Sequence, residues 1–268
     1  MTNVMQYSGA SLADTSRGPS PSIWADFPAA DIRHGIRDGY EIFDDFLNGP
    51  RVAAGAEGVA GLYRGFADTG GLVQDGGEIG GVLDFSSDGD NEGASLRTST
   101  NPFQISRLHG KLWFEARLKT SQVADTKHGI FIGLRADAAL TAITPITAAG
   151  AIADQNIVGF HRLEGDGDQF DTIYKADGVT QVTVQADAAS VAADTYIKLG
   201  MVYNPKDFSL TFYRNGVKLA TTYTVASAAG TDFPNDVRLG LVMAVVNATA
   251  STPGSTKLDW WRCGQLSV

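Results

Sequence analysis

Short segments of alternating apolar and polar residues fill most of the chain. In residues 111–120, every second residue from Leu112 to Leu118 is apolar, and the residues between them are mostly polar or charged. This period of two predicts an antiparallel β-strand with one buried face and one wet face. Residues 129–135 are apolar at both parities, so we expect a central strand that is covered on both faces.

The same pattern recurs along the chain, whereas an apolar stripe with helical period is nearly absent. Asp177-Gly178 and Asn215-Gly216 separate two pairs of these segments, and such dipeptides favour tight hairpin turns. About fourteen strands are too many for one open sheet, so we expect two stacked sheets in an all-β antiparallel sandwich. The predicted strands are residues 40–46, 59–66, 78–85, 94–98, 111–120, 129–135, 156–163, 170–174, 179–184, 196–203, 208–213, 217–223, 236–245 and 256–266.

Residues 1–38 lack this alternation and form a separate region, an N-terminal arm ahead of the sandwich of residues 39–268. Residues 16–24 of the arm contain two prolines among small polar residues, and Ile23, Trp24 and Phe27 are isolated apolar side chains of the arm. Proline fixes φ and has no amide donor, so an extended arm is predicted. Two interpretations remain open: the arm packs on its own sandwich, or it docks on a neighbouring subunit through these side chains.

The composition supports a folded protein with many turns. Of 268 residues, 43% are hydrophobic, and 31 are glycine, well above the ~7% of average proteins. The single cysteine, Cys263, excludes an intrachain disulfide and is expected as a buried, inert thiol in the last strand.

The charge balance limits the partners. Lys and Arg total 21 against 30 Asp and Glu, which gives a formal net charge of −9. A nucleic-acid or anionic membrane surface needs a basic face, so neither partner is expected. No apolar run reaches the length of a membrane span, and the first ten residues lack the pattern of an export signal.

Three segments carry a resemblance to a known fold family. Residues 111–119 (KLWFEARLK) resemble a strand motif of concanavalin-A-like lectins and glucanases. Residues 208–217 (FSLTFYRNGV) are similar to that family's hairpin, and residues 257–262 (KLDWWR) to its closing strand. The resemblance implies a two-sheet jelly roll. Because these are packing motifs, they imply little about activity.

The start of the chain carries a second resemblance. Residues 16–24 (SRGPSPSIW) and 38–46 (DGYEIFDDF) resemble capsid-decoration (cement) proteins of tailed bacteriophages. This resemblance implies a non-enzymatic virion structural protein that is made in the host cytoplasm and located on the capsid exterior. The major capsid protein would be its partner, together with further copies of itself.

Two regions are candidates for these capsid or subunit contacts. One is the arm, through Ile23, Trp24 and Phe27. The other is the long loop of small apolar residues 136–153, through Ile143, Pro145 and Ile146, because an apolar loop left in water is typical of a contact surface. The alternative for the loop is that it folds back onto its own sheet.

The sequence offers a weak match to a glycosidase site. Family glucanases place three carboxylates on alternate residues of one strand, so that one acts as nucleophile and another as acid. The nearest match, residues 164–168 (EGDGD), lacks the final glutamate, and its glycines predict a loop. We therefore expect no enzymatic activity.

A carbohydrate-binding or receptor-binding virion protein is the alternative function. Trp113 lies on the polar side of its predicted strand, where an aromatic ring could stack on a sugar or be buried against a partner subunit. His161 lies opposite Val158 and Phe160, so it is expected on the wet or concave side of its sheet. These two residues are the candidate glycan or partner contacts.

Two acidic segments are weak candidates for structural calcium, since Ca²⁺ takes six to eight oxygen ligands from flexible loops. Asp88, Asp90 and Glu92 match a calcium loop only in part. The second segment contains Glu164 together with Asp166, Asp168 and Asp171. A solvated acidic turn is the simpler interpretation of both, so no metal and no cofactor are expected.

Overall fold

Seventeen β-strands and two short helices make up the described part of the chain. The computed structural model describes residues 13–267 except residues 54, 69, 76, 88, 125–127, 137–143, 148–149, 164, 225–231 and 248–253. Among these residues, no helix is long and apolar enough to span a membrane. The elements are α1 Pro21–Trp24, α2 Ala29–Arg33, β1 Gly39–Asp44, β2 Ala56–Ala60, β3 Tyr63–Ala67, β4 Gly71–Gln74, β5 Leu83–Ser87, β6 Gly93–Thr98, β7 Phe103–Gln104, β8 Leu112–Thr120, β9 His128–Ala136, β10 Ile157–Arg162, β11 Gln169–Lys175, β12 Val182–Ser190, β13 Ile197–Asn204, β14 Ser209–Arg214, β15 Val217–Thr224, β16 Arg238–Asn247 and β17 Gly254–Leu266.

The strands form two antiparallel sheets. The eight-stranded sheet has the order β15-β14-β13-β8-β17-β5-β4, and β1 also pairs with β17. The nine-stranded sheet has the order β12-β11-β10-β9-β16-β6-β3-β2, and β7 also pairs with β16. The two sheets stack with one apolar core between them, so the predicted all-β two-sheet sandwich is confirmed.

The core forms from the alternation that the sequence shows. Phe114 and Leu118 of β8 point inward together with Ile130 and Ile132 of β9, and all four are fully buried in one cluster. Removing such side chains from water is the main favourable contribution to folding. The opposite parity of each sheet, including Trp113, therefore faces outward, and these two outer faces are where a binding site could form.

Both hairpin signals are confirmed. Asn215 and Gly216 connect β14 to β15 with φ angles of 49° and 76°, and two positive φ values are the requirement of a type I′ turn. Gly178, between β11 and β12, has a φ of 77°. Glycine adopts this left-handed conformation without a steric cost, so local sequence determines both turns.

Some predicted boundaries are wrong. Residues 59–66 do not form one strand, because Gly61, with a φ of 56°, turns the chain between β2 and β3. The predicted strand of residues 78–85 begins only at Leu83. The short strands β4 and β7 were not predicted, since segments of two to four residues contain too little alternation to be recognised.

Within residues 13–38, the described part of the arm, the chain is not extended throughout. It forms α1 and α2, and Pro21 begins α1. The N–H of the first helical residue makes no hydrogen bond within the helix, so proline loses no such bond at this position. Its fixed φ also suits a helix. The two turns bring the apolar side chains of the arm onto one side, toward the eight-stranded sheet.

Candidate functional site

The arm covers the outer face of the eight-stranded sheet. Ile23, Trp24 and Phe27 pack with Trp113 of β8 and Val202 of β13 in a cluster separate from the main core. The ring of Phe27 lies edge-on to Trp24 at 5.2 Å and to Trp113 at 5.1 Å between centroids. Each aromatic side chain buries a large apolar area, so this contact is a major one.

Two glycines in the sheet make room for the arm. A Cβ atom on Gly200 of β13 would lie 2.5 Å from Cδ1 of Ile23, and one on Gly264 of β17 would lie 2.4 Å from Cε2 of Phe27. These distances are well inside van der Waals contact, so any larger residue would push the arm away from the sheet.

A buried carboxylate anchors the arm from below. Glu115 of β8 is fully buried, and its Oε2 atom accepts hydrogen bonds from the Ser20 amide and from Nε1 of Trp24, both at 2.8 Å. Burial raises the pKa of Glu115, and these hydrogen bonds act against that rise. A carboxylate that the sequence places on a wet face therefore serves as an internal anchor.

Charged side chains fix the first part of the arm. Nζ of Lys198, on β13, lies 2.8 Å from Oδ2 of Asp14 and donates to the carbonyl of Gly18 at 2.9 Å. Arg17 pairs with Asp259 of β17 at 2.6 Å, and Arg117 also contacts that carboxylate. Lys198 and Asp259 are almost fully buried, so removing a partner would leave a buried charge uncompensated.

This arrangement answers the open question about the arm. Ile23, Trp24 and Phe27 contact their own sheet, and their exposed fractions are 2%, 8% and 8%. Their role as capsid or subunit contacts stays a prediction, with little exposed side-chain surface to support it. Trp113 is only 1% exposed beneath them. It points outward from its sheet as predicted, but the arm makes it inaccessible to a glycan.

A second segment, residues 144–147 and 150–156, covers part of the outer face of the nine-stranded sheet. Ile146 pairs with Ile152 and packs in a small cluster that includes Phe131 and Val242. Ile146 is 2% exposed and Pro145 is buried. These two residues thus pack on their own sheet, as in the alternative interpretation, and their role as capsid or subunit contacts stays a prediction. Ile143 lies outside the described residues.

Polar contacts fix the ends of this segment. Asp154 pairs with Lys175 at 2.7 Å, and Oδ1 of Asn156 accepts from the Asp177 amide at 3.1 Å. Gln155 accepts a hydrogen bond from Arg135. The segment therefore covers a patch of the outer sheet face that would otherwise be exposed to solvent.

Beside this patch lies a cluster of one histidine and two carboxylates. His161 faces away from the core as predicted, yet it is only 2% exposed. Its Nδ1 atom lies 3.4 Å from Oδ2 of Asp166, and its Nε2 atom lies 3.0 Å from the side-chain nitrogen of Gln181. Asp171 is the residue directly opposite His161 on β11.

His161, Asp166 and Asp171 bring one ligand atom each within 4.8 Å of one another. One imidazole nitrogen and two carboxylate oxygens suit a divalent cation such as Zn²⁺ or Mn²⁺. Burial raises the pKa of Asp171, and the charges of Asp166 and Asp187 add to this rise. At Asp166, burial acts in the same direction, but hydrogen bonds from His161 and the Leu163 amide outweigh it and lower the pKa.

The glucanase-like segment is a turn. Residues 165–168 lie between β10 and β11, and Asp166 accepts a hydrogen bond from the Leu163 amide at 2.6 Å. Asp168 accepts from Oγ of Ser190 at 3.3 Å. Both carboxylates thus hold the hairpin end together, in agreement with the predicted loop, and residue 164 lies outside the described residues.

In the first acidic segment, the structure describes two of the three predicted calcium ligands, Asp90 and Glu92. Asp90 is exposed and Glu92 is half-buried. Neither belongs to a group of three converging His, Cys, Asp or Glu side chains within the described ranges. Asp88, the third member of this predicted set, is outside them.

The fold can now be compared with known proteins. No protein-family model matches the chain, and no curated protein matches its sequence. Among solved structures, the carbohydrate recognition domain of Emp47p matches with a TM-score of 0.54 at 13% identity, over 85% of this chain and 96% of that one. The chain has the concanavalin-A-like jelly-roll fold.

Enzymes and lectins both share this jelly roll. An endo-1,3-β-glucanase from Streptomyces sioyaensis matches with a TM-score of 0.54 at 12% identity, over 86% of this chain and 98% of that one. Peanut lectin matches with a TM-score of 0.55 at 9% identity, over 86% and 99%. The jelly roll predicted from the strand motifs is confirmed, and identities this low concern the fold alone.

Sequence reasoning missed the anchoring role of Glu115 and Asp259. Alternation places both on an outward face, and an outward carboxylate normally indicates solvent. One signal was available: Gly200 and Gly264 interrupt two strands at outward positions. A glycine inside a strand often indicates close approach of another part of the chain.

Proposed function

We propose that this protein is a non-enzymatic structural protein of a bacteriophage virion that decorates the outer surface of the capsid. The resemblance of residues 16–24 and 38–46 to decoration proteins gives the class. The observation that carries the proposal is that the chain itself covers part of each outer sheet face, over Trp113 on one sheet and over Phe131 and Val242 on the other. A jelly roll closed in this way is suited to act as a rigid body in an assembly.

The described carboxylates support the absence of enzymatic activity. Glu115 is inaccessible beneath the arm, and Asp166 and Asp168 are engaged in a turn. A retaining or inverting glycosidase needs two carboxylates on either side of an accessible sugar. The pair Asp166 and Asp171 lies beside a histidine that is almost fully buried, which favours a structural role for this cluster.

The second candidate is a carbohydrate-binding or receptor-binding virion protein. The similarity to the Emp47p carbohydrate recognition domain and to peanut lectin favours it. Against it, the buried Trp113 and the segment over the nine-stranded sheet reduce the area on which a sugar could stack. We therefore rank glycan binding second.

Mass spectrometry of purified particles tests the proposal directly. We expect this protein in a fixed ratio to the major capsid protein, and we expect the full-length chain to bind capsids that lack it. Absence from the particles, together with no binding to such capsids, would overturn the proposal. If the protein binds a glycan on an array and does not bind capsids, the lectin-like alternative is favoured.

A further inference from the structure

A basic pocket lies at one end of the sandwich. Several segments far apart in sequence converge on a space of about 590 Å³. Four of its lining side chains are permanently cationic, and a histidine joins them. These five residues are Arg37, Arg107, His109, Lys111 and Lys206. In a chain with a net charge of −9, this convergence of positive charge is unexpected.

The pocket already holds one carboxylate of its own. Asp26, from the arm, accepts a hydrogen bond from Nε1 of Trp113 at 2.9 Å and pairs with Lys111. The inner wall of the pocket therefore combines an indole N–H donor with an ammonium group, and both bind a carboxylate. The remaining cations of the pocket could bind a carboxylate of another protein as Lys111 binds Asp26.

The remaining cations have no carboxylate partner. Within the described part of the chain, Arg37, Arg107 and Lys206 form no ion pair, and all three are exposed. Arg107 lies over the ring of Phe208 at 3.7 Å, which holds its guanidinium in place. Like charges that converge repel one another, and a further anion placed among Arg37, Arg107 and Lys206 relieves that repulsion.

Exposed apolar side chains adjoin these cations in the sequence. Ile36 precedes Arg37, and Leu108 lies between Arg107 and His109. Each of these two apolar side chains is 76% exposed. Exposed apolar side chains next to cations in the chain fit a protein segment better than a free ion, because only the protein segment can bury both kinds of surface.

We infer that this pocket binds an acidic segment of a partner protein, in which carboxylates enter the basic pocket and an apolar residue contacts Ile36 or Leu108. This inference rests on the proposed function, since the partner segment would belong to the capsid surface. A nucleic acid fits less well. Its long phosphate backbone would extend past the pocket onto a surface with an excess of acidic residues.

The arm contributes to this interaction in a way that its composition did not suggest. Its buried aromatic residues fix it to the sheet, and this position brings Asp26 and Arg37 to the pocket. The contact with the partner therefore uses Arg37 of the arm, while Asp26 pairs with Lys111, and Trp24 and Phe27 act as internal anchors.

Charge reversal tests the inference. One variant carries Arg37→Glu, Arg107→Glu and Lys206→Glu. A matched control carries Arg51→Glu, Arg214→Glu and Arg238→Glu, three exposed cations outside the pocket. Both variants change the net charge equally, so long-range repulsion is the same in both. We expect the pocket variant to bind purified capsids roughly tenfold or more weakly, the control to bind far more like the wild type, and wild-type binding to weaken with salt.

The outcomes separate the two proposals. If the wild type binds capsids and both variants bind equally well, the pocket inference is wrong and the decoration role stands. If the wild type is absent from the particles and does not bind capsids that lack it, the decoration role is wrong and this inference falls with it. A peptide of six glutamates with one leucine and a single-stranded DNA of equal charge serve as probes on the wild type. Tighter binding of the DNA would also overturn the inference.

Discussion

The two outer faces of the sandwich are covered by the same chain with different chemistry. Over the eight-stranded sheet, aromatic rings surround a buried glutamate, and buried ion pairs fix the arm. Over the nine-stranded sheet, aliphatic side chains such as Ile146 make an ordinary small cluster, and Asp154, Gln155 and Asn156 add polar contacts at the C-terminal end of the segment. The difference indicates that the arm is bound by specific, geometrically demanding contacts, whereas the second segment is held mainly by apolar burial.

The largest expected effect tests the aromatic anchor. Trp24→Ala removes the ring that packs on Phe27 and the N–H that donates to Glu115. We expect a loss of about 3–5 kcal/mol in the free energy of unfolding, measured by urea denaturation, and a smaller loss of about 2–3 kcal/mol for Ile146→Ala on the other face. Ile79→Ala, at a position 97% exposed, is the control and should remain within ~0.5 kcal/mol of wild type. Equal losses for Trp24→Ala and Ile79→Ala would contradict the anchor.

A smaller effect is expected from filling the space beneath the arm. Gly264→Ala places a methyl group against the ring of Phe27, and we expect it to destabilise the protein by about 1–3 kcal/mol. Gly18→Ala is the matched control, because no heavy atom lies within 4 Å of its added Cβ. Equal melting temperatures for these two variants would show that Phe27 does not lie against β17 in solution.

The smallest effect concerns how Glu115 makes the stability of the fold depend on pH. Because burial raises its pKa in the folded state, its protonated form stabilises the fold at low pH. That contribution is lost as the pH rises through the raised pKa. Glu115→Gln cannot ionise, so its melting temperature should rise relative to that of the wild type as the pH of the measurement is raised from about 5 to about 8. If the melting temperatures of the two proteins change with pH in parallel, Glu115 is not a buried carboxyl group in the folded protein.

The sandwich was predictable because its signals are local. Alternation at Leu112 to Leu118 and the Asn215-Gly216 turn depend on neighbouring residues, and each gave the observed strand or hairpin. The arm was not predictable in the same way. Whether Trp24 is buried depends on a sheet residue 91 positions away, Glu115, which no short window contains. The basic pocket is likewise assembled from segments that are distant in sequence, so no short motif indicates it.

The position of β17 has a consequence for how the chain folds. It lies between β8 on one side and β1 and β5 on the other, so that residues 39–44 pair with residues 261–266. Strand pairs so distant in sequence form slowly, and the eight-stranded sheet cannot close until this strand is in place. Cys263, the single thiol of the chain, lies fully buried in β17, and burial raises its pKa further. The rate at which Cys263 reacts with a thiol reagent would therefore report how often the eight-stranded sheet opens around β17.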